Sequence, residues 1–318
     1  MSPHLSVALC SLNGARFLPQ QLDSLLTQTH LPDELVVCDD GSADNTTAIL
    51  ESFARHSPFP VRLVCNPQRL GVVKNFEQAI SLCKGEIIAL SDQDDVWHPT
   101  KLEQLVRAMT EPGVGLAFSD AEVVDERVAP LGYTMWQRVG FSRNEQERMV
   151  AGDAFDVLLK HFVVTGATLA FRANLRPLLL PLPPEWHHDA WIASIAAAAT
   201  TLRPIANTLV QYRQHGNNAV GGKRTSVITQ GARGLALGRD IYYQAEIERF
   251  KILLHRLQVT GIGKCVAIEA KLDHLRTRAS LPQNRLKRLL GIATELVHGR
   301  YHRYARNWES VAMDLFFL

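Results

Sequence analysis

Three carboxylates follow an apolar run in "IIALSDQDDVW", Ile87 to Trp97. Asp92, Asp94 and Asp95 sit so close together that their repulsion is costly unless a cation or hydrogen-bond donors offset it. Hard divalent cations such as Mg²⁺ or Mn²⁺ prefer carboxylate oxygens and often share them with substrate phosphates. The chemistry this points to is a phosphate-bearing nucleotide held through a metal at Asp92-Gln93-Asp94.

Further polar residues end other apolar runs: Ser11 and Asn13 after "LSVALC", Asp39 and Asp40 after "ELVVCDD". Between these runs lie helical periodicities. "FLPQQLDSLLTQ" carries Leu18, Leu22, Leu25 and Leu26 on one face, and Asp44 stands as an N-cap before a helix through Ala48, Ile49 and Phe53. "VRLVC" and "EIIALS" read as two more strands, "VVKNFEQAISLC" and "PTKLEQLVRAM" as two more helices, with Pro99 near the start of the last. This βαβα alternation predicts an α/β fold with a mostly parallel sheet covered by helices on both faces. In such sheets ligands bind beyond the carboxyl ends of the strands, so the separate polar clusters should converge at one edge.

Later strands are expected in "GLAFSD", "TGATLAF" and "LVQYRQHGNN", and a buried helix in "DAWIASIAAAAT". The Gly-rich segment "HGNNAVGGKRTS" marks a boundary. It divides the chain into an N-terminal α/β domain over residues 1–218 and a helical C-terminal region over 219–318, with helices around 241–257, 265–277, 284–296 and 301–317.

The 318 residues are 46% hydrophobic and 21% charged, enough for a sizeable core. A formal net charge of +2 argues against a dedicated nucleic-acid binder. Cys10, Cys38, Cys65, Cys83 and Cys265 form no CxxC pair and are expected as reduced structural thiols. The sequence shows neither a membrane-spanning stretch nor a secretory leader, so a cytoplasmic protein is expected. "GIGKC" and "GGKRT" both fail the P-loop pattern, and no GxGxxG follows the first strand.

Together "LCSLNG", "VVCDDGSADNT", "NPQRLGVVKNFEQAI" and "KGEIIALSDQDDVWHPTKLE", followed by "HHDAW" and "QYRQHGNN", resemble the family-2 glycosyltransferases, which have the GT-A fold. The resemblance runs from about Leu5 to Asn218, and "SDQDDVW" is most similar to the bacterial rhamnosyltransferase branch. It implies an inverting, metal-dependent transfer from a nucleotide sugar, dTDP-L-rhamnose by this branch, to a glycan or lipid-linked acceptor hydroxyl in surface polysaccharide assembly. It also implies roles for individual residues. Asp39, with Asp40 nearby, would accept hydrogen bonds from the nucleotide base, and Leu12 and Asn13 would line that pocket. Asp92 would contact ribose or metal, Asp94 would be the principal metal ligand, and Asp95, not a ligand, would cap the following segment or orient its neighbours.

An acceptor hydroxyl must lose its proton during attack, which requires a positioned base. By resemblance this is Asp189, where relatives often carry Glu-Asp and this chain has His188-Asp189; otherwise Asp189 only caps the Ala-rich helix. His215 either completes the metal coordination or is a solvated loop residue. Arg213 and Lys223 would neutralise phosphate as the glycine-rich loop closes, or simply face water. Trp97, Trp186 and Trp191 would line sugar rings or pack in the core. Two rival functions remain: a catalytically degenerate nucleotide-sugar-binding scaffold, and a nucleotidyltransferase.

From Gly231 onward fifteen Lys/Arg face eight Asp/Glu, and "YHRYARNWESVAMDLFFL" joins arginines to an apolar ending. This C-terminal region would contact an anionic membrane as a peripheral protein on its cytoplasmic face, or pack on the catalytic domain or against a second copy in a homo-oligomer.

Overall fold

The computed structural model describes residues 3–216 and 239–317. Two compact units emerge. The first runs to Gly152 and resumes at Val163; the second joins Asp153–Phe162 to the C-terminal helices. The expected boundary at 218/219, and Lys223, lie outside the described residues.

The first unit is built on a nine-stranded sheet. Its parallel part has the order β3 (Val61–Cys65), β2 (Glu34–Asp39), β1 (Leu5–Ser11), β4 (Ile87–Asp92). The helices α1 (Leu18–Leu26), α2 (Thr46–His56) and α3 (Val72–Leu82) connect these strands. Every residue of β1 is buried, as expected for a strand covered on both faces. Leu18, Leu22 and Leu25 of α1 join that core, whereas Leu26 turns out to solvent at 41% exposure. Asp44 is not the N-cap of α2. Asn45 occupies that position, while Asp44 Oδ1 accepts the Thr46 N–H (3.0 Å) and so still satisfies one free helix donor.

Beyond β4 the sheet becomes mixed. The two-residue β5 (Val96–Trp97) and α4 (Lys101–Met109) precede the long β6 (Val114–Val124) and β7 (Pro130–Thr134). Short helices follow, α5 (Met135–Val139) and α6 (Arg143–Arg148), each opened by a capping box at Thr134 and Ser142. α7 (Ala154–Lys160) belongs to the second unit. The first unit is completed by β8 (Leu169–Arg172), α8 (Arg176–Leu179), α9 (His188–Ala199) and β9 (Thr201–Arg213). β8 lies antiparallel between β4 and β6, β9 runs parallel to β6, and β5 closes on β9 antiparallel. This last pairing folds the segment after the Asp92 cluster back onto the end of β9.

The second unit holds α10 (Arg239–Thr260), α11 (Cys265–Ala279), α12 (Arg285–Val297), α13 (Arg300–Tyr304) and α14 (Asn307–Ala312), then a wider turn Met313–Phe317. The single ending helix expected over 301–317 is therefore broken in two places. Asp314 organises this end. Fully buried, it accepts hydrogen bonds from the hydroxyls of Tyr243 (2.6 Å) and Tyr301 (2.6 Å) and from Arg278 Nε (2.6 Å). The apolar ending thus carries a packed ion pair within its own unit. Among the described residues no helix is long and apolar enough to cross a membrane.

Candidate active site

Strand register brings the polar clusters together. Ser11 pairs with Asp39 across β1 and β2, and Cys10 pairs with Asp92 across β1 and β4. The carboxyl ends of three parallel strands therefore share one edge.

Asp39 is buried, and its carboxylate accepts from Ser11 Oγ (2.8 Å), Ser42 Oγ (2.5 Å) and the Ser42 N–H (2.8 Å). Ser42 Oγ also accepts the Asn13 N–H (2.7 Å), and Asn13 Oδ1 accepts the Ala43 N–H (2.8 Å). Asn13 is left-handed (φ 47°), a conformation its short polar side chain tolerates. Asp39, Leu12 and Asn13 are thus neighbours, as expected. Asp40 is committed elsewhere. Its two oxygens accept the Leu70 N–H (2.7 Å), the Gly71 N–H (2.9 Å) and Asn66 Nδ2 (3.2 Å), pinning the loop that enters α3. Gly71 there has φ +82°, which only glycine adopts readily. Through these bonds Asp40 positions the loop.

Gln93, between the two aspartates, ties the acidic loop to the first strand. Its amide accepts the Leu12 N–H (2.8 Å) and donates to the Leu12 carbonyl (3.0 Å). A Cβ on Gly14 would collide with Gln93 Oε1, so glycine in "SLNG" makes the contact possible. Sequence reasoning missed Gln93 and Ser42. The polar turn residues in "DDGS" and "DQD" were the available signals.

The carboxylates meet as the spacing predicts. Burial, then the charges of Asp94 and Asp189, push Asp92 up to about 7. Asp189, distant in sequence, therefore lies within the field of the Asp92 cluster. Asp95 is buried at 1% exposure and pushed up by burial and by Asp94 and Asp92; Oδ1 accepts the Arg213 N–H (3.0 Å). It faces the protein rather than a ligand. Beneath the cluster, fully buried Lys101 donates to the Ala167 carbonyl (2.6 Å), and its ammonium sits 3.2 Å from the Trp97 ring centroid. Its charge partly offsets Asp92 and Asp95, while burial holds Lys101 itself well below the usual lysine range.

Asp94 Oδ2 lies 2.7 Å from His215 Nε2, and the His215 ring stacks on Phe17 at 4.8 Å between centroids. Arg213 serves the same loop from below. Only 1% exposed, its guanidinium donates to the carbonyls of Asp94 (2.6 Å) and Glu126 and to Gln20 Oε1 (2.5 Å). With its donors turned onto these protein oxygens, Arg213 braces the loop.

Asp189 sits in the first turn of α9, and His187, not Asp189, is the N-cap. The Gly166 N–H donates to Asp189 Oδ2 (3.0 Å) and the Ala190 N–H to Oδ1 (2.7 Å). His188 is buried against Phe76 (4.0 Å between ring centroids), and burial lowers its proton affinity, so it packs as a neutral ring. Trp97, Trp186 and Trp191 are at most 2% exposed and belong to the core. The five cysteines are free thiols, three of them buried.

Among the described residues no group of three or more His, Cys, Asp or Glu side chains is arranged to hold a metal ion. A pair of carboxylates suffices where substrate phosphates supply the remaining oxygens, and the strained Asp92–Asp94 pair has that donor chemistry.

Several known proteins resemble this chain. An uncharacterized glycosyltransferase of Nostoc sp. is 25% identical over 279 residues, covering 86% of this chain and 82% of its own. The Escherichia coli UDP-Glc:alpha-D-GlcNAc-diphosphoundecaprenol beta-1,3-glucosyltransferase WfgD is 26% identical over 190 residues, 59% of this chain and 68% of its own. Among solved structures, the mannosyltransferase PcManGT of Pyrobaculum calidifontis, in complex with GDP-Man and Mn²⁺, superposes with a TM-score of 0.53. It is 21% identical and covers 99% of this chain and 85% of its own. Staphylococcus aureus TarS 1-349 with UDP-GlcNAc gives 0.55 at 13% identity, covering 97% and 90%. These likenesses agree with the GT-A architecture of the mixed sheet. Residues 6–171 match the family described as Glycosyl transferase family 2, a span that holds Asp39, Asp92 and Asp94 and ends before Asp189 and His215. With more than half its length in that match and the carboxylates at the strand ends, the chain belongs to glycosyl transferase family 2 and is a glycosyltransferase.

Proposed function

We propose that the protein transfers a sugar, L-rhamnose from dTDP-L-rhamnose, to a hydroxyl of a glycan or lipid-linked acceptor, with inversion at the anomeric carbon. The observation that supports this reading is the joint field of Asp94 and Asp189 on Asp92 at the carboxyl ends of the parallel strands, as an acid pair with a separate carboxylate beside it would give. Asp39, fixed by Ser11 and Ser42, would accept hydrogen bonds from the nucleotide base, beside Leu12 and Asn13. Asp92 and Asp94 would hold Mg²⁺ or Mn²⁺, with His215 against Asp94. Bound there, the cation supplies Lewis-acid stabilisation of the leaving diphosphate.

In the transfer the acceptor oxygen forms a bond to the anomeric carbon as the bond from that carbon to the diphosphate oxygen breaks. The hydroxyl proton goes to Asp189, and the bonding electrons leave with the nucleoside diphosphate. Two N–H donors hold the Asp189 carboxylate in place, so it meets the hydroxyl without reorganising. The mannosyltransferase structure with Mn²⁺ and the glucosyltransferase acting on a diphosphoundecaprenol acceptor support the cation and the acceptor class. The L-rhamnosyl choice rests on the "SDQDDVW" resemblance.

The test is nucleoside diphosphate release from a panel of nucleotide sugars, with and without Mn²⁺. Cation-dependent release from dTDP-L-rhamnose above all others is expected. Preference for a different donor would overturn the rhamnosyl assignment, and no release from any donor would overturn the transferase site.

A further inference from the structure

The C-terminal unit carries an apolar stripe that faces solvent. On α12, Leu286 is 78% exposed, Leu289 47%, Leu290 78% and Val297 85%. At about 100° per residue, these four and the exposed Ala293 fall within an arc of roughly 100°. The opposite side of the helix is already occupied. Ile292 joins a buried cluster with Leu281, Tyr301 and Ala305, Arg288 donates to the Asp314 carbonyl (3.0 Å), and Glu295 is 3% exposed. The apolar stripe is therefore a second face, not the one that folds the unit.

The exposed charges that α12 itself carries beside it have one sign. Exposed Arg285 and Lys287 flank the stripe on its two sides. Between Arg285 and Arg306 the sequence holds six Lys/Arg and a single acid, Glu295. That acid is buried and already committed, to His274 Nδ1 (2.5 Å) and Arg300 (2.8 Å). Arg285 also donates to the Phe316 carbonyl (3.3 Å), which brings another exposed apolar side chain, Phe316 at 53%, to the start of the stripe.

We infer that α12 docks this protein on an anionic lipid surface, with Leu286, Leu290 and Val297 entering the acyl boundary and Arg285 and Lys287 meeting the headgroups. An apolar face edged by cations and free of exposed acids matches an interfacial helix. The sequence pointed instead to the ending from Trp308 onward and to Arg300, Arg303 and Arg306. Arg300 pairs with Glu295, Arg303 with Asp156, and Asp314 with Arg278, which leaves the stripe on the earlier helix the better-developed apolar face. The inference is independent of which nucleotide sugar the active site uses.

The experiment is co-sedimentation of the full chain with phosphatidylcholine vesicles, with and without phosphatidylglycerol, at low and high salt. Wild type should bind the anionic vesicles and lose binding as salt rises. L286Q/L290Q should lower the partition coefficient roughly tenfold or more. R285Q/K287Q should lower it about fivefold per charge at low salt. Both variants should keep donor turnover on a short soluble acceptor. Should the leucine pair fail to fold, the charge pair, which gives up only the exposed bond from Arg285 to the Phe316 carbonyl, carries the test alone. Wild type that does not sediment, or variants that sediment like wild type, would overturn the proposal. So would a wild-type dimer that L286Q/L290Q converts to monomer, since a second copy would then be what covers the stripe.

Discussion

His215 Nε2 and Asp94 Oδ2 are 2.7 Å apart, although 121 positions separate them in the chain. Arg213, two residues before His215, holds the Asp94 carbonyl at 2.6 Å. The end of β9 therefore fixes both the main chain and the side chain of the proposed metal ligand. Partners that orient a ligand in this way typically contribute tenfold to a hundredfold in metal affinity. H215Q should weaken Mn²⁺ affinity by that factor, whereas D94A should remove cation-dependent donor binding with the fold intact. Calorimetry with Mn²⁺ and donor checks both; equal affinities in wild type and D94A would remove Asp94 from the site.

Arg213 is expected to act on stability before it acts on affinity. R213M leaves the carbonyls of Asp94 and Glu126 and the Gln20 oxygen without their donor. The loss should be about 3 kcal/mol, the scale for charge-assisted hydrogen bonds in a buried setting. Denaturant unfolding measures it. A cost near zero would mean that these bonds do not brace the loop.

Asp189→Asn should separate binding from chemistry. Donor affinity should stay within a few-fold of wild type while turnover falls roughly 10²–10⁴, the usual range for a lost general base. Both Asp189 oxygens accept N–H groups, so the amide can keep only one of the two bonds and the melting temperature should also drop slightly. Turnover close to wild type would leave Asp189 as a purely structural residue of the α9 first turn.

Asp92 predicts a pH signature. Its folded proton affinity is raised, to about 7 against an ordinary value of 3.8, so the folded state binds the extra proton between those limits. That contribution to apo-protein stability is fully present below pH 3.8 and is lost as pH rises through 7. Added Mn²⁺ should consequently raise the melting temperature more at pH 8 than at pH 5, and D92N should flatten the pH dependence of the metal-free protein. Thermal melts across pH with and without Mn²⁺ test this. A cation effect that shrinks with rising pH would contradict it.

In the C-terminal unit, D314A should cost about 3–5 kcal/mol, because Arg278 would be left buried without its partner. Tyr243 and Tyr301 would lose their acceptor as well. A melt unchanged by D314A would mean that the turn after α14 does not hold the unit together.

Much of this was legible because strand ends are local. Apolar runs followed by Ser11, Asp39 and Asp92 announce a parallel sheet edge, and the register then leaves those residues little choice but to meet. What sequence could not supply was the orientation of long side chains. Asp40 and Arg213 carry the right charge for ligands, but their charge alone does not show the loop backbone and side-chain groups that they also bond. Gln93 looked like a spacer between acids but bridges two loops. The mixed half of the sheet was only partly visible, because the two-residue β5 and the short β7 leave almost no periodicity. On α12 the apolar residues were read simply as a helix. Only burial shows that two faces are apolar or packed and that one of them points outward.

The most direct test of the account is the anomeric configuration of the product, read by NMR from the one-bond carbon–hydrogen coupling of the new glycosidic linkage. Single displacement with Asp189 as base predicts a linkage inverted relative to the donor sugar. A product that retains the donor's configuration would contradict the account.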